Sequence, residues 1–444
     1  MKCFCSRNAF VVTFWIRHCL SLRMGDTLEN GLEVPFISFG LSNNDVLHQV
    51  SSALQEHKEN IECSLRNMGQ SYWIAREAEL MLHGKISDTS LSSRIEKRIE
   101  RLGTLLDEDY LHMETSLLAP VNLTLALPNP TTDKVSTYGE ILEHEISSYD
   151  SILNVVAHVV RDWSSVGERR HYQWCLIQLL SLYNERAGVK ILIPGAGLGR
   201  LAFDIAREGF FVEANECSVV MATASYNIIS GKATGTLHPW CYDSFLNEIK
   251  SEARYDALNY PDISPPESFH APPTNLSYTV GDFVSSYSSS SRYRSFDSVV
   301  TCFFIDTASN FYEYVSVIDH VLKDGGMWIN YGPLQWHKNA LITPSSDEMF
   351  EILKDFGFEI RKWDVDRRFL NYRNFEEDIP RYTKTEGYNS LMFVVMKSST
   401  NRGDRMPTKN LNEIIALTKV AVRKLVAGGA TYSPSFSSNV TLKM

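Results

Sequence analysis

The chain lacks the cysteine spacing that would make a scaffold. Its eight cysteines are scattered through 444 residues with no C-x-x-C pair, and Cys3 and Cys5 are too close for a zinc clip and have no second pair downstream. No metal site and no disulfide framework follow from that pattern, and the cysteines read as free thiols of a reducing compartment. Missing too is any apolar run long enough to span a bilayer, so no membrane partner is expected. Basic residues are not in excess either: 43 Lys and Arg against 53 Asp and Glu leave a formal charge of -10. Without a basic face to track phosphates, a nucleic-acid partner is not expected. No internal repeat is visible. What is present, 44% hydrophobic and 22% charged residues, is ordinary globular composition with ample material for a buried core.

Residues 1–23 stand apart. They carry Lys2, Arg7, Arg17 and Arg23, no acid, and a short apolar run from Ala9 to Ile16. This pattern resembles a mitochondrial transit peptide, although a start at Met24 is the preferred reading. The expected address is cytoplasmic, with the nucleus second and mitochondrial import through residues 1–23 the lesser reading.

The first 185 residues are predicted to be mainly helical, an extension rather than a sheet domain. Val46, Val50, Leu54, Ile61, Leu65 and Met68 recur at helical spacing behind Ser42-Asn-Asn-Asp45, with Gly69 as the expected stop. Leu91 to Leu106, Ile146 to Trp163 and Glu168 to Tyr183 repeat the pattern. From Val189 the rhythm changes to short apolar runs alternating with helical segments, which implies βαβ units and a parallel sheet. Strands are expected at Val189–Ile193, Phe211–Ala214, Leu276–Val280, Phe296–Phe304, Met327–Tyr331, Phe358–Trp363 and Leu391–Met396. Residues 259–275 form a Pro-rich excursion, and the tail carries one helix from Leu411 to Val426. The division is therefore 1–24 leader, 25–185 helical region, 186–397 α/β domain and 398–444 tail.

The first strand ends in Gly195-Ala-Gly197-Leu-Gly199 and opens a helix. Glycines let the backbone approach a ligand, and the helix N-terminus offers unpaired N–H groups. A dinucleotide turn, G-x-G-x-x-G, would require glycine where this chain has Arg200. The G-x-G-x-G spacing instead resembles class I S-adenosylmethionine-dependent methyltransferases, and predicts a Rossmann-like α/β sheet with helices on both faces. Glu216, 21 positions after Gly195 at the end of the second strand, is placed to accept the hydroxyls of a ribose. Gly281-Asp282-Phe283 follows the third strand, where the fold puts a residue beside adenine, and Leu322-Lys-Asp-Gly-Gly326 precedes a later strand.

More specific segments are Val160-Arg-Asp-Trp-Ser164, Pro194 to Arg200, Asn215-Glu216, Thr301-Cys-Phe-Phe-Ile-Asp-Thr-Ala308, Trp328-Ile-Asn330 and Gly332-Pro-Leu334 with His337. Together, over residues 145–397, they resemble the carnosine N-methyltransferase family. The resemblance implies methyl transfer from S-adenosylmethionine to the imidazole of carnosine, or a related histidine dipeptide, giving anserine. It implies a cofactor held by Arg161, Gly195, Gly197, Glu216, Asp282, Phe283 and Cys302. It also implies a dipeptide held by Asp306, His337 and Tyr388. Two positions depart from the family: His158 stands where it carries Gln, and Cys217 where it carries Trp. His158 still has one hydrogen bond to donate to the cofactor.

Imidazole, with an ordinary pKa near 6.5, is mostly neutral at pH 7 and needs no strong base. The site must align a ring nitrogen with the methyl and balance the charge that arrives on the ring. Asp306, accepting the N–H of the far nitrogen, would fix the tautomer as the aspartate of a catalytic triad does; its other reading is a cap for the helix starting near Ser309, and both can hold at once. Two other functions stay open: transfer to another imidazole such as peptidyl histidine, with the 259–275 excursion setting specificity, and a non-catalytic cofactor-binding interaction protein. A homodimer is the expected assembly.

Overall fold

Side chains along the central strands are buried on both faces and join two different cores in turn, and this sets the architecture. In a computed structural model of the chain, Ile191 and Ile193 pack into one core while Leu192 between them packs into the other. Val299 and Val300 divide the same way, as do Trp328 and Ile329. A sheet buried on both faces needs this two-sided apolar pattern. The structure describes residues 36–39, 41–121, 151–242, 249–263, 274–338, 340–371 and 387–398. Expectations for the leader, residues 146–150, most of the Pro-rich excursion and the Leu411–Val426 helix lie outside the described residues.

In chain order, strand β1 (Phe36–Phe39) precedes helices α1 (Asn43–His83) and α2 (Leu91–His112), and α2 runs into a π-turn at Met113–Leu117. Helices α3 (Ile152–Trp163) and α4 (Arg170–Leu182) lead to β2 (Lys190–Pro194), α5 (Arg200–Arg207), β3 (Phe211–Glu216) and α6 (Val219–Ile229). A small antiparallel pair follows, β4 (Gly235–Leu237) with β5 (Leu258–Tyr260). Then come β6 (Leu276–Val280), α7 (Phe283–Tyr287), β7 (Phe296–Cys302), α8 (Phe311–Val321) and β8 (Leu322–Gly332). Helix α9 (Ser346–Asp355) and strands β9 (Phe358–Val365), β10 (Leu370–Asn371), β11 (Gly387–Tyr388) and β12 (Leu391–Lys397) complete the described chain.

The main sheet has eight strands in the order β1-β6-β3-β2-β7-β8-β12-β9. All neighbours are parallel up to β8, and β12 inserts antiparallel between β8 and β9. This is the Rossmann-like class I methyltransferase sheet expected from the motifs. Helices α3 to α6 share the core of one face, and α7 to α9 that of the other. Helix α6 is buried along its whole length, so every residue of Val219–Ile229 packs inward.

Three expectations need correction. Gly69 does not stop the first helix. That helix runs 41 residues from a Ser42–Asp45 capping box to Gly84, whose left-handed φ of +65° ends it. A single interior glycine costs about 1 kcal/mol, which a long helix absorbs. The extension is not free of strand either: β1 pairs in parallel with the edge strand β6, from Phe36 opposite Ser277 to Phe39 opposite Val280. Lastly, Gly325-Gly326 is not a turn ahead of a strand. Residues 322–332 form one strand whose register slips between Phe296 and Ser298 of its neighbour.

Candidate active site

The carboxyl ends of β2, β3, β6, β7 and β8 converge on one sheet edge, where open α/β sheets bind ligands. At the end of β2, Gly195, Gly197 and Gly199 all have left-handed φ, of +64°, +55° and +75°. Two of the three are also needed for space. A Cβ at Gly195 would lie 2.4 Å from the Phe304 ring, and one at Gly199 would lie 2.6 Å from Ser225 Oγ. Gly197 differs: its nearest neighbours in that direction are Arg161 Nη2 and His158 Nδ1, each at 4.0 Å.

Glu216 closes the turn from the next strand. Its Oε2 accepts the Gly197 amide at 2.9 Å, while Oε1 accepts the Cys217 amide at 2.9 Å and the Ser218 amide at 3.0 Å. From the far side the Tyr278 hydroxyl donates to the Gly197 carbonyl, and Trp163 Nε1 donates to the Leu198 carbonyl at 2.9 Å. The side chain of buried Asn215 donates to the carbonyls of Thr279 and Gly281, at 3.1 and 3.0 Å, and so aligns the ends of β3 and β6.

His158 and Arg161 project from the last turns of α3. His158 Nδ1 lies 3.3 Å from Met221 Sδ. Arg161 forms a two-pronged pair with Asp162, at 2.6 and 3.0 Å, and the Tyr172 hydroxyl donates to the same carboxylate at 2.8 Å. Burial alone would push the Asp162 carboxyl up, but the Arg161 charge and these hydrogen bonds outweigh it and hold it below its ordinary value.

Asp282 caps α7, its Oδ1 accepting the Ser285 amide at 2.8 Å. Phe283 is 3% exposed. It meets Phe304 and Tyr314 edge-on, at 5.4 and 5.3 Å, and those two rings stack on each other at 4.7 Å. Phe283 is thus part of an aromatic wall behind Gly195 as well as a neighbour of the ligand edge. Cys302, buried, ends β7.

Beyond Cys302 the chain turns through Phe303, a non-glycine residue with φ of +54°. Its amide donates to the Tyr331 carbonyl at 3.0 Å, and Gly332 lets the two segments approach: a Cβ there would lie 3.0 Å from Phe303 N. The Phe303 ring lies 6.0 Å from the Arg161 guanidinium carbon, 6.0 Å from the Tyr388 ring and 5.4 Å from the His171 ring. It therefore lies between Arg161, His171 and Tyr388.

Asp306 follows in a short 3-10 turn and is 5% exposed. Its Oδ2 accepts the Gln335 amide at 3.1 Å, and its backbone carbonyl accepts the His337 amide at 3.2 Å. The cap of α8 is Asn310, whose Oδ1 accepts the Tyr312 amide at 3.1 Å, so the helix-cap alternative for Asp306 does not hold. No ion pair reaches Asp306 among the described residues, and burial pushes its carboxyl up to about 7 against two backbone hydrogen bonds.

Several participants escape inspection of the sequence. Tyr172, Tyr278, Phe303 and Asp162 hold the anchors in place. His171 is fully buried among Tyr172, Phe303 and Tyr331, with neither ring nitrogen hydrogen-bonded among the described residues. Burial lowers its pKa to about 3, so this imidazole stays neutral. Asp162 and Phe303 stand inside the quoted motifs without a role legible there, and Tyr172, Tyr278 and His171 lie outside them.

A family profile described as carnosine N-methyltransferase matches residues 139–398. A Schizosaccharomyces pombe protein named carnosine N-methyltransferase is 32% identical over 273 residues, covering 56% of this chain and 72% of its own. One of the same name from Rattus norvegicus is 34% identical over 240 residues, covering 50% of this chain and 58% of its own. The Drosophila melanogaster protein named carnosine N-methyltransferase unmet is 30% identical over 275 residues and covers 58% of each chain. The chain thus spans less than two thirds of the length of the rat and fly relatives. With the profile spanning more than half of the residues, and the motifs it covers gathered at one sheet edge, the chain belongs to the carnosine N-methyltransferase family.

Proposed function

We propose that the protein transfers methyl from S-adenosylmethionine to an imidazole nitrogen of carnosine, giving anserine. The observation that carries this reading is Asp306. It is a buried carboxyl, pushed up to about 7 with no cationic partner among the described residues, at the edge where the family motifs converge.

The residues present fit the cofactor. Gly197 leaves the space that a Cβ would take, and Arg161 and His158 face it. Arg161 and His158 would meet the amino-acid end, Gly195 and Gly197 would let it approach the backbone, and Glu216 would accept ribose hydroxyls. Asp282, Phe283 and Cys302 would border the adenine. The cofactor supplies a sulfonium methyl, so that one N–C bond forms as one S–C bond breaks.

Asp306 would accept the N–H of the far ring nitrogen, leaving the near lone pair aimed at the methyl. As the ring becomes cationic, that bond becomes a hydrogen-bonded ion pair and strengthens, so the carboxylate favours the transition state over the ground state. His337 and Tyr388 would hold the rest of the dipeptide. Purified protein given labelled S-adenosylmethionine, with carnosine, free histidine and a histidine-containing peptide in parallel, tests the reading. Label in carnosine is expected; label in the peptide alone would move the acceptor to peptidyl histidine, and label in none would exclude imidazole transfer.

The same proposal includes a homodimer. Its support is the outer half of α1, where Trp73, Ile74, Met81 and Leu82 are exposed, the last two by 84% and 75%. A cytoplasmic and nuclear address completes it, supported by the free thiols of Cys63, Cys175, Cys217, Cys241 and Cys302 and tested by imaging C-terminally tagged protein.

A further inference from the structure

Arg200 occupies a position that electrostatics disfavours. It is the first residue of α5, at the positive end of that helix, and only 6% exposed. A buried cation there needs a strong partner. Arg200 has two carboxylates: Asp204 one turn on, at 3.1 Å, and Asp262, at 2.6 Å, from the segment after β5.

Asp262 does more than neutralise Arg200. Its other oxygen pairs with Arg169 at 2.6 Å, and its amide donates to the Trp163 carbonyl at 2.8 Å. Arg200 Nη1 also donates to the Asp162 carbonyl at 2.9 Å, and Arg169 Nη1 to the Ser164 carbonyl at 2.7 Å. The last carbonyls of a helix have no partner within it. At the end of α3, three consecutive carbonyls, of Asp162, Trp163 and Ser164, are therefore met by Arg200, Asp262 and Arg169. Asp262 joins the other two donors. This same turn carries Arg161, and Trp163 in turn donates to Leu198 of the glycine turn.

We propose that Asp262 is a positioning residue for the cofactor: it locks the C-terminal turn of α3 so that Arg161 faces Gly197. The inference rests on the reading of this edge as the S-adenosylmethionine site. Arg161 Nη2 lies 4.0 Å from where a Gly197 Cβ would stand, on a helix end whose local closure is the Ser164 hydroxyl donating to the Val160 carbonyl, and Asp262 is the only carboxylate among the described residues paired with both arginines that meet its last carbonyls.

The test is calorimetric titration of the full chain with S-adenosylmethionine alone. Asp262→Asn, which keeps the shape and loses the charge, is expected to raise Kd about tenfold, the size of one charge-assisted bond. Arg169→Gln removes one arm from a more exposed side chain and is expected to raise it severalfold; it serves if Asp262→Asn does not fold. A double-mutant cycle separates positioning from general destabilisation. In an Arg161→Ala background neither substitution should weaken binding further. Equal losses in both backgrounds, or Kd values within twofold of wild type, would overturn the proposal. Absence of binding by the wild-type protein would instead overturn the reading of the site, and this inference with it.

Discussion

Glu216 reaches from the end of β3 to accept the Gly197 amide of the neighbouring strand's turn at 2.9 Å, while its other oxygen holds two amides of its own turn. One carboxylate thus shapes the glycine turn and offers its remaining lone pairs outward.

Glu216→Ala should therefore weaken S-adenosylmethionine binding and also lower stability. The loss of charge-assisted bonds, on the order of 1.5–3 kcal/mol, corresponds to roughly ten- to a hundredfold in Kd. Calorimetry beside thermal melting measures both, and unchanged Kd would remove Glu216 from the ribose role.

The glycines should separate. Gly195→Ala meets the Phe304 ring as well as a φ of +64°, so the fold itself should suffer, by more than the roughly 1–2 kcal/mol of the backbone alone. Gly197→Ala meets nothing nearer than 4.0 Å and should melt closer to wild type while losing cofactor affinity. Equal melting temperatures for the two variants would contradict this division.

Asp306 gives a pH signature. The acceptor ring must be neutral, above its ordinary 6.5, and Asp306 ionised, above about 7, so kcat/KM for carnosine should rise through pH 6–8 and then level. Asp306→Asn should cut kcat sharply and leave only the ring's ionisation in the profile. Stability runs the other way. Because its folded pKa is raised from 3.8, the native state binds the extra proton, and stability falls as pH rises from about 4 to 7. The full shift corresponds to on the order of 4 kcal/mol. Asp306→Asn should thus melt higher than wild type at pH 8 and not at pH 4. A wild-type turnover number in this variant would end the orienting role.

His171 titrates in the opposite sense. Its pKa is lowered to about 3, so its neutral form stabilises fully above 6.5, and that contribution is lost as pH falls below 6.5. His171→Leu removes two buried ring nitrogens that have no hydrogen-bond partner among the described residues and should raise the melting temperature at pH 5 more than at pH 8. A melting profile parallel to wild type would show that the imidazole is not strained.

Trp73→Asp on the outer half of α1 should convert a dimer to a monomer in analytical ultracentrifugation, with turnover per chain retained at saturating substrate. A wild-type protein that sediments as a monomer at micromolar concentration would remove the dimer.

The sequence alone determined the sheet, the glycine turn and Glu216, because strand alternation and positive-φ glycines are written in neighbouring residues. It also placed Asp306 just past β7. It did not decide what Asp306 does locally, since an aspartate three residues before a helix is legible as a cap until Asn310 is seen to fill that role. Gly69 read as a stop because helix length is set by packing as well as by propensity. Strand β1 went unread because its pairing partner lies more than two hundred positions away. Arg200 was legible only as the residue that excludes a dinucleotide turn. Its meaning depends on Asp262, 62 positions on, and on the Asp162 carbonyl, 38 positions back. Burial and the partner of a charge are properties of the folded molecule, so only tertiary structure could decide them.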